Sequence, residues 1–251
     1  VDPGFFYAKN FNNKTMKQEM NRYTQGDLDV WQTLFLRQTK QLEQYACQSY
    51  LDLLYMMSPV LNKNEIINFS NMNSWFKQQT GWQIQVVPGL IPVEEFFELL
   101  AQKKFCSSTW LRKPENLDYL EEPDMFHDIF GHVPLLSQPV FSDFMVEFGR
   151  LGVRYRNNER IITALKRLYW FTVEFGMIQE ESLKIYGAGI ISSYAETQIA
   201  VSDKAIHHQF DMKQIMDLDF RTDSVQKEYF AIESFEQLFQ SLKEVEMIIP
   251  G

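Results

Sequence analysis

Two histidines five residues apart, and one carboxylate in an aromatic run, are the side chains here best suited to chemistry. His127 and His132 lie in Glu122-Pro-Asp-Met-Phe-His-Asp-Ile-Phe-Gly-His-Val-Pro134, in a protein with four histidines in all. Glu174 is the lone charge of Leu168-Tyr-Trp-Phe-Thr-Val-Glu-Phe175. Two imidazoles and a carboxylate form the ligand set of a non-haem Fe(II) oxygenase, which leaves coordination positions open for O2. A carboxylate in apolar surroundings needs a cation or hydrogen-bond donors. Lys166 and Arg167, upstream on the same helix, offer one answer, and hydrogen-bonded structural histidines are the plain alternative to a ligand pair. A divalent metal answers all three residues at once. Trp170 precedes Glu174 by four positions, which on a helix puts an aromatic platform beside the carboxylate and suits an enzyme acting on an aromatic ring.

The elements that carry these residues must bring them together. On an uninterrupted α-helix five residues subtend about 140°, so His127 and His132 would point to different sides. Pro123 and Asp124 open a helix, and Gly131 with Pro134 stop it. The pattern therefore predicts a helix ending near Gly131, with His132 swinging back toward His127. A helical stripe runs from Asp29 through Val30, Leu34, Leu42 and Ala46 to Leu54. Further helices are expected near Asn62 and near Ser70. Gln83–Val87 alternates and meets Pro88-Gly89, which predicts a short strand and a turn. Pro92 at the first helical position, with Glu94 and Glu95 after it, opens a helix over Val93–Lys103. Ile161–Ile178 is helical in pattern, and Phe235–Val245 is amphipathic. The class is mainly α with a few short strands (α+β).

Composition narrows the function. A chain of 251 residues that is 45% hydrophobic, with 21 Phe, fills one globular domain. The net charge of -9 and the lack of a basic stripe argue against nucleic acid. Cys47 and Cys106 are too few for a disulfide framework or a Cys-rich zinc site. No apolar run is long enough for a membrane span, and Val1-Asp-Pro-Gly-Phe5 does not read as a signal peptide, so a cytoplasmic protein is expected. A zinc hydrolase also uses two His and one Glu, but the His-Glu-x-x-His helix of that class is absent. A non-enzymatic helical interaction module would show an exposed apolar stripe and bind no iron.

The chain resembles the pterin-dependent aromatic amino acid hydroxylases, and their bacterial phenylalanine-hydroxylating members most of all. The resemblance runs from Tyr23-Thr24 and Val30-Trp31 to Tyr229-Phe-Ala-Ile-Glu-Ser-Phe235. Its most specific blocks are Pro88-Gly-Leu90, Glu122-Pro-Asp124 with His127-Asp-Ile-Phe-Gly-His-Val-Pro134, Leu168-Tyr-Trp-Phe-Thr-Val-Glu-Phe-Gly176 and Ile185-Tyr-Gly-Ala-Gly-Ile-Ile-Ser-Ser193. It implies a helical basket around iron held by His127, His132 and Glu174, with a tetrahydropterin cosubstrate. It places Gly89, Leu90, Ile91, Phe96, Asp128 and Tyr169 at the pterin, with Phe96 stacking on the ring. It places Arg112 on the amino-acid carboxylate, where a guanidinium fork suits a planar anion. Tyr119, Pro123, Trp170, Gly189, Ser192 and Ser193 fall at substrate-pocket positions, and Ser192 would also orient His127.

Two positions depart from the animal members. Asp128 stands where they carry Glu, and Leu120 where the phenylalanine enzymes carry Thr. The implied reaction is hydroxylation of L-phenylalanine to L-tyrosine; tyrosine or tryptophan hydroxylation within the same family is the alternative. Trp170 narrows the pocket relative to the Phe of tryptophan hydroxylases. A single catalytic domain over 1-251, with no regulatory domain and no heptad tail for tetramerisation, predicts a monomer acting on a small aromatic amino acid.

Overall fold

The computed structural model describes residues 16–118, 122–222 and 224–248. Tyr119 and Leu120, and both chain ends discussed above, lie outside them. Helix α1 (Gln25–Tyr45) begins at a capping box in which Thr24 and Asp27 satisfy each other's backbone N–H groups. It buries Val30, Trp31, Leu34 and Leu42 on one face. The expected continuation to Leu54 is interrupted. Ala46 forms a parallel bridge with Ile185, and the Cys47 N–H donates to the Ile185 carbonyl at 2.9 Å. This extended step separates α1 from α2 (Gln48–Met56).

No helix starts at Asn62. Its side-chain oxygen accepts the Asn64 N–H at 2.9 Å, an Asx turn, while its carbonyl accepts from the Trp31 indole at 2.9 Å. Helix α3 (Phe69–Gln79) starts instead behind an Asn68 cap, one residue from the position expected. Strands β1 (Gln83–Val86) and β2 (Lys104–Ser107) pair in parallel, with α4 (Val93–Ala101) as the crossover between them. Pro92 is the cap of α4 rather than its first helical residue. The helix closes before Lys103, which takes a left-handed φ of 55° and turns the chain into β2.

The second half wraps this unit. A π-turn over His127–His132 leads through the short turn Pro134–Ser137 into α5 (Pro139–Arg154). Helix α6 (Glu159–Tyr169) passes into a second π-turn, Trp170–Glu174, so the helix predicted to reach Ile178 ends at Glu174. Ile178 belongs to β3 (Met177–Gln179), which pairs antiparallel with β4 (Leu183–Ile185). The short α7 (Ala188–Ile191) and α8 (Tyr194–Ala200) follow. Then come β5 (Ile206–Gln209), α9 (Met212–Asp217), β6 (Glu228–Ile232) and α10 (Phe235–Ile248). The four-stranded sheet has the order β4-β3-β6-β5. Rings of Phe97, Phe144, Phe148, Phe171 and Phe230 fill the core, all at most 2% exposed. No helix among the described residues is long and apolar enough to cross a membrane.

Candidate active site

The five-residue spacing of the histidines is met by widening the helix, not by ending it. Gly131 lies inside the π-turn, and Pro134 begins the short 3-10 turn that follows. A turn closed by i→i+5 hydrogen bonds returns the chain to one face after five residues, so both imidazoles point the same way. Displaced carbonyls find partners outside the ladder. Tyr50 donates its hydroxyl to the Phe130 carbonyl at 2.6 Å, and in the second π-turn Thr172 donates to Leu168 at 2.5 Å.

Three donor groups converge. His132 Nε2 lies 3.1 Å from Glu174 Oε1, His127 Nε2 lies 3.5 Å from Oε2, and the two Nε2 atoms are 3.2 Å apart. Adjacent ligands at ~2.1 Å from one divalent ion would be separated by about 3 Å, so the spacing fits a shared metal. Glu174 is 2% exposed, and its Oε1 accepts no hydrogen bond. Burial, together with the neighbouring His132, holds His127 down at about 4, so its imidazole is neutral at pH 7 with a lone pair to give. Burial works to raise Glu174, but the two imidazoles and the Tyr169 phenol outweigh it and leave the carboxyl below its usual range. Among the described residues this is the one group of three potential ligands so placed. His127 Nδ1 is 2.8 Å from Ser192 Oγ, which fixes the ring and turns Nε2 inward. The other histidines, His207 and His208, sit on β5.

A cleft opens over these groups. Gly89, Leu90, Ile91, Phe96, Asp128 and Tyr169 all line it with the three donor residues, as does Pro123. Phe96 meets Tyr169 edge to face at 5.3 Å, and Tyr169 stacks toward His132 at 6.2 Å. Burial pushes the Asp128 carboxyl well above the usual range, although the Ser108 N–H donates to its Oδ2 at 2.9 Å.

The remaining residues are placed differently. Arg112 is buried, and its fork already grips Asp124, with Nε to Oδ2 at 2.9 Å and Nη2 to Oδ1 at 2.8 Å. The Trp170 ring is not on the cleft wall. It stacks on Phe220 at 4.6 Å, tilts against Phe175 at 4.6 Å and donates its indole N–H to Gln226 at 3.1 Å. Gly189 packs under Phe175 and the Glu174 carbonyl, and Ser193 caps α8.

Asp124 carries more than a helix opener would. It is fully buried and accepts from the Arg112 and His127 backbone N–H groups as well as from the guanidinium. Phe105, Cys106 and Ser108 also line the cleft; the first two belong to β2, a strand the sequence pattern did not predict, and Ser108 follows it.

Comparison with known proteins agrees with this geometry. Residues 6–250 match the family model of biopterin-dependent aromatic amino acid hydroxylases. The phenylalanine-4-hydroxylase of Ralstonia nicotianae is 45% identical over 231 residues, covering 91% of this chain and 73% of that protein. That of Chromobacterium violaceum is 43% identical over 233 residues, covering 92% and 77%. The crystal structure of the Chromobacterium violaceum enzyme with bound iron(III) and oxidised 7,8-dihydrobiopterin superposes with a TM-score of 0.89 at 41% identity, covering 96% of this chain and 88% of that one. Its iron- and phenylalanine-bound structure gives 0.87 at 39% identity, with coverage of 95% and 88%.

Fold and donor set define a mononuclear non-haem iron monooxygenase. Within that class the chain belongs to the biopterin-dependent aromatic amino acid hydroxylases.

Proposed function

We propose that this protein hydroxylates L-phenylalanine to L-tyrosine, using O2 and a tetrahydropterin cosubstrate at an Fe(II) held by His127, His132 and Glu174. The observation that carries the reading is the convergence of those three donors beneath a cleft whose wall is Gly89, Leu90, Ile91, Phe96, Asp128 and Tyr169. Relatives of 42–45% identity bearing the name phenylalanine-4-hydroxylase support the choice of substrate. Bound iron, with the pterin, supplies the activation of O2.

The chain's own residues supply placement. His127 stays neutral and is turned by Ser192; Glu174 brings the negative charge that offsets the metal. Phe96 gives the pterin an aromatic face. Arg112 is fixed by Asp124, and its remaining N–H groups meet the amino-acid carboxylate, with Pro123 along the substrate. Trp170, clamped by Phe175, Phe220 and Gln226, bounds the ring pocket from behind, and Gly189 and Ser193 keep that side narrow. An apolar pocket rejects an added hydroxyl only about 10²-fold, so exclusion of tyrosine is the harder half of specificity. We further infer one catalytic unit, acting as a monomer in the cytoplasm.

Product analysis tests the reading. The Fe(II)-loaded protein is given tetrahydropterin, O2 and equal concentrations of Phe, Tyr and Trp. Tyrosine formed from Phe at the highest kcat/KM is expected. Faster turnover of Trp or Tyr moves the enzyme to another branch of the family. Hydrolytic activity with zinc, and none with iron and pterin, overturns the oxygenase reading.

A further inference from the structure

The parallel strands β1 and β2 end at the same edge, where the Val87 N–H donates to the Ser107 carbonyl at 3.0 Å. Beyond that rung the chain after β1 runs into the Gly89–Ile91 wall of the cleft, and the first residue after β2 is Ser108. Ser108 is 2% exposed and lines the cleft, yet its hydroxyl has no hydrogen-bond partner. Its neighbour Ser107 behaves as a buried serine usually does, donating to the Ser108 carbonyl at 2.9 Å. The Ser108 backbone meanwhile holds Asp128 Oδ2 at 2.9 Å. One residue thus fixes a cleft carboxyl through its amide and offers the same cleft a group that both donates and accepts. An unpaired buried hydroxyl is a net cost to the folded protein, and a ligand with a polar edge removes that cost on binding.

We infer that Ser108 is a pterin-binding residue: its hydroxyl pairs with the polar edge of the bicyclic ring, beside Asp128, while Phe96 covers the ring's face. The pterin edge, with ring nitrogens next to a carbonyl and an amino group, accepts or donates to such a hydroxyl in either sense. An apolar aromatic of the same size would leave the Ser108 hydroxyl unanswered, so the site selects a heterocycle rich in polar edge atoms. The inference rests on the assignment of the Gly89–Phe96 wall to the pterin.

The test is equilibrium binding of 7,8-dihydrobiopterin to the Fe(II)-loaded protein without O2, read by calorimetry, with melting of the ligand-free protein alongside. Ser108→Ala is expected to weaken binding about five- to twentyfold while leaving the ligand-free Tm unchanged or raised. Ser137→Ala is the control, because the Ser137 hydroxyl is also buried without a partner but lies away from the cleft wall. Phe96→Ala tests the wall assignment on its own. Strong loss in Phe96→Ala with wild-type binding in Ser108→Ala overturns the role of Ser108 and leaves the wall standing. Unchanged binding in both variants overturns the wall assignment and this inference with it. A fall in the ligand-free Tm of Ser108→Ala with unchanged pterin affinity makes the hydroxyl structural, which also overturns it.

Discussion

Glu196 gives a stability prediction whose sign and size follow from its surroundings. It is 4% exposed on α8, and its carboxylate receives two long contacts, from the Gln226 N–H and the Tyr229 hydroxyl, each at 3.4 Å. Burial outweighs both and pushes the carboxyl up from 4.5 to about 7. The folded protein therefore binds a proton between pH 4.5 and 7 that the unfolded chain has released, so this group's contribution falls as pH rises through that window. Every tenfold gain in proton affinity on folding corresponds to about 1.4 kcal/mol, which puts the full loss near 3 kcal/mol above pH 7. Glu196→Gln keeps the shape but cannot ionise; its amide oxygen still accepts from the Gln226 N–H, and its amide N–H donates to the Tyr229 oxygen. Urea unfolding of both proteins at matched iron content, across pH 5 to 8, should show a difference that grows with pH in favour of the variant. On the high side of the window the variant should melt roughly 5–10 °C higher. A difference that stays flat with pH, or wild-type stability that rises relative to the variant, would refute an elevated Glu196.

Four further outcomes are expected. His127→Ala, His132→Ala and Glu174→Ala should each abolish stoichiometric iron binding, measured by metal analysis after desalting, with helical circular dichroism preserved; near-normal iron in any one removes that residue from the ligand set. Glu174→Gln should lose iron too, because it keeps the shape and discards the charge. Asp124→Asn leaves the buried Arg112 guanidinium without its counter-charge and should cost about 3–5 kcal/mol in denaturant unfolding; a change under about 1 kcal/mol would mean that the pair is replaceable. Ser192→Ala frees the His127 ring and should weaken iron affinity by about 10- to 100-fold in a chelator competition, with little change in Tm.

The three converging donors were legible because their types are rare and their alternatives poor. The four histidines fall in two close pairs, His127 with His132 and His207 with His208; the family-like block around the first pair, with a carboxylate among aromatics, narrows the choice before any fold is known. Local pattern likewise predicted β1, α4 and the start of α3 to within a residue or two. Failures came where a distant partner decides. The break at Ala46 follows from a bridge to Ile185, and nothing in the apolar stripe of α1 announces it. Asp124 reads as a helix opener until Arg112 folds onto it from twelve residues upstream. Trp170 faces Gln226 and Phe220, which the sequence places far away. The π-turn escaped for a different reason: glycine at Gly131 and proline at Pro134 mark a helix end under the usual rules, and a widened turn carries the same residues.

The two π-turns solve a problem that regular helices cannot. Three donors must meet at about 3 Å, yet two come from a segment between β2 and α5 and the third from the π-turn that follows α6. The short α7 is the piece that brings them into register. A Cβ on Gly187 would come within 2.4 Å of the Gly176 nitrogen and 2.5 Å of the Glu174 carbonyl, so that segment must pass bare against the second π-turn. On its other side a Cβ on Gly131 would lie 3.0 Å from the Ala188 carbonyl, so the first π-turn also closes directly onto α7. Helix α1 holds the far end, with Gln38 donating to the Ile191 carbonyl at 2.5 Å, and the next residue, Ser192, reaches His127. The Tyr-Gly-Ala-Gly-Ile-Ile-Ser stretch is therefore a spacer whose thickness sets the distance between the histidine pair and the carboxylate. A widened turn on each side lets the imidazoles and Glu174 lean over that spacer toward one point. Thickening it by a single methyl group at Gly187 would press on the Glu174 backbone carbonyl and push that residue away from both histidines, with all three donor side chains unchanged.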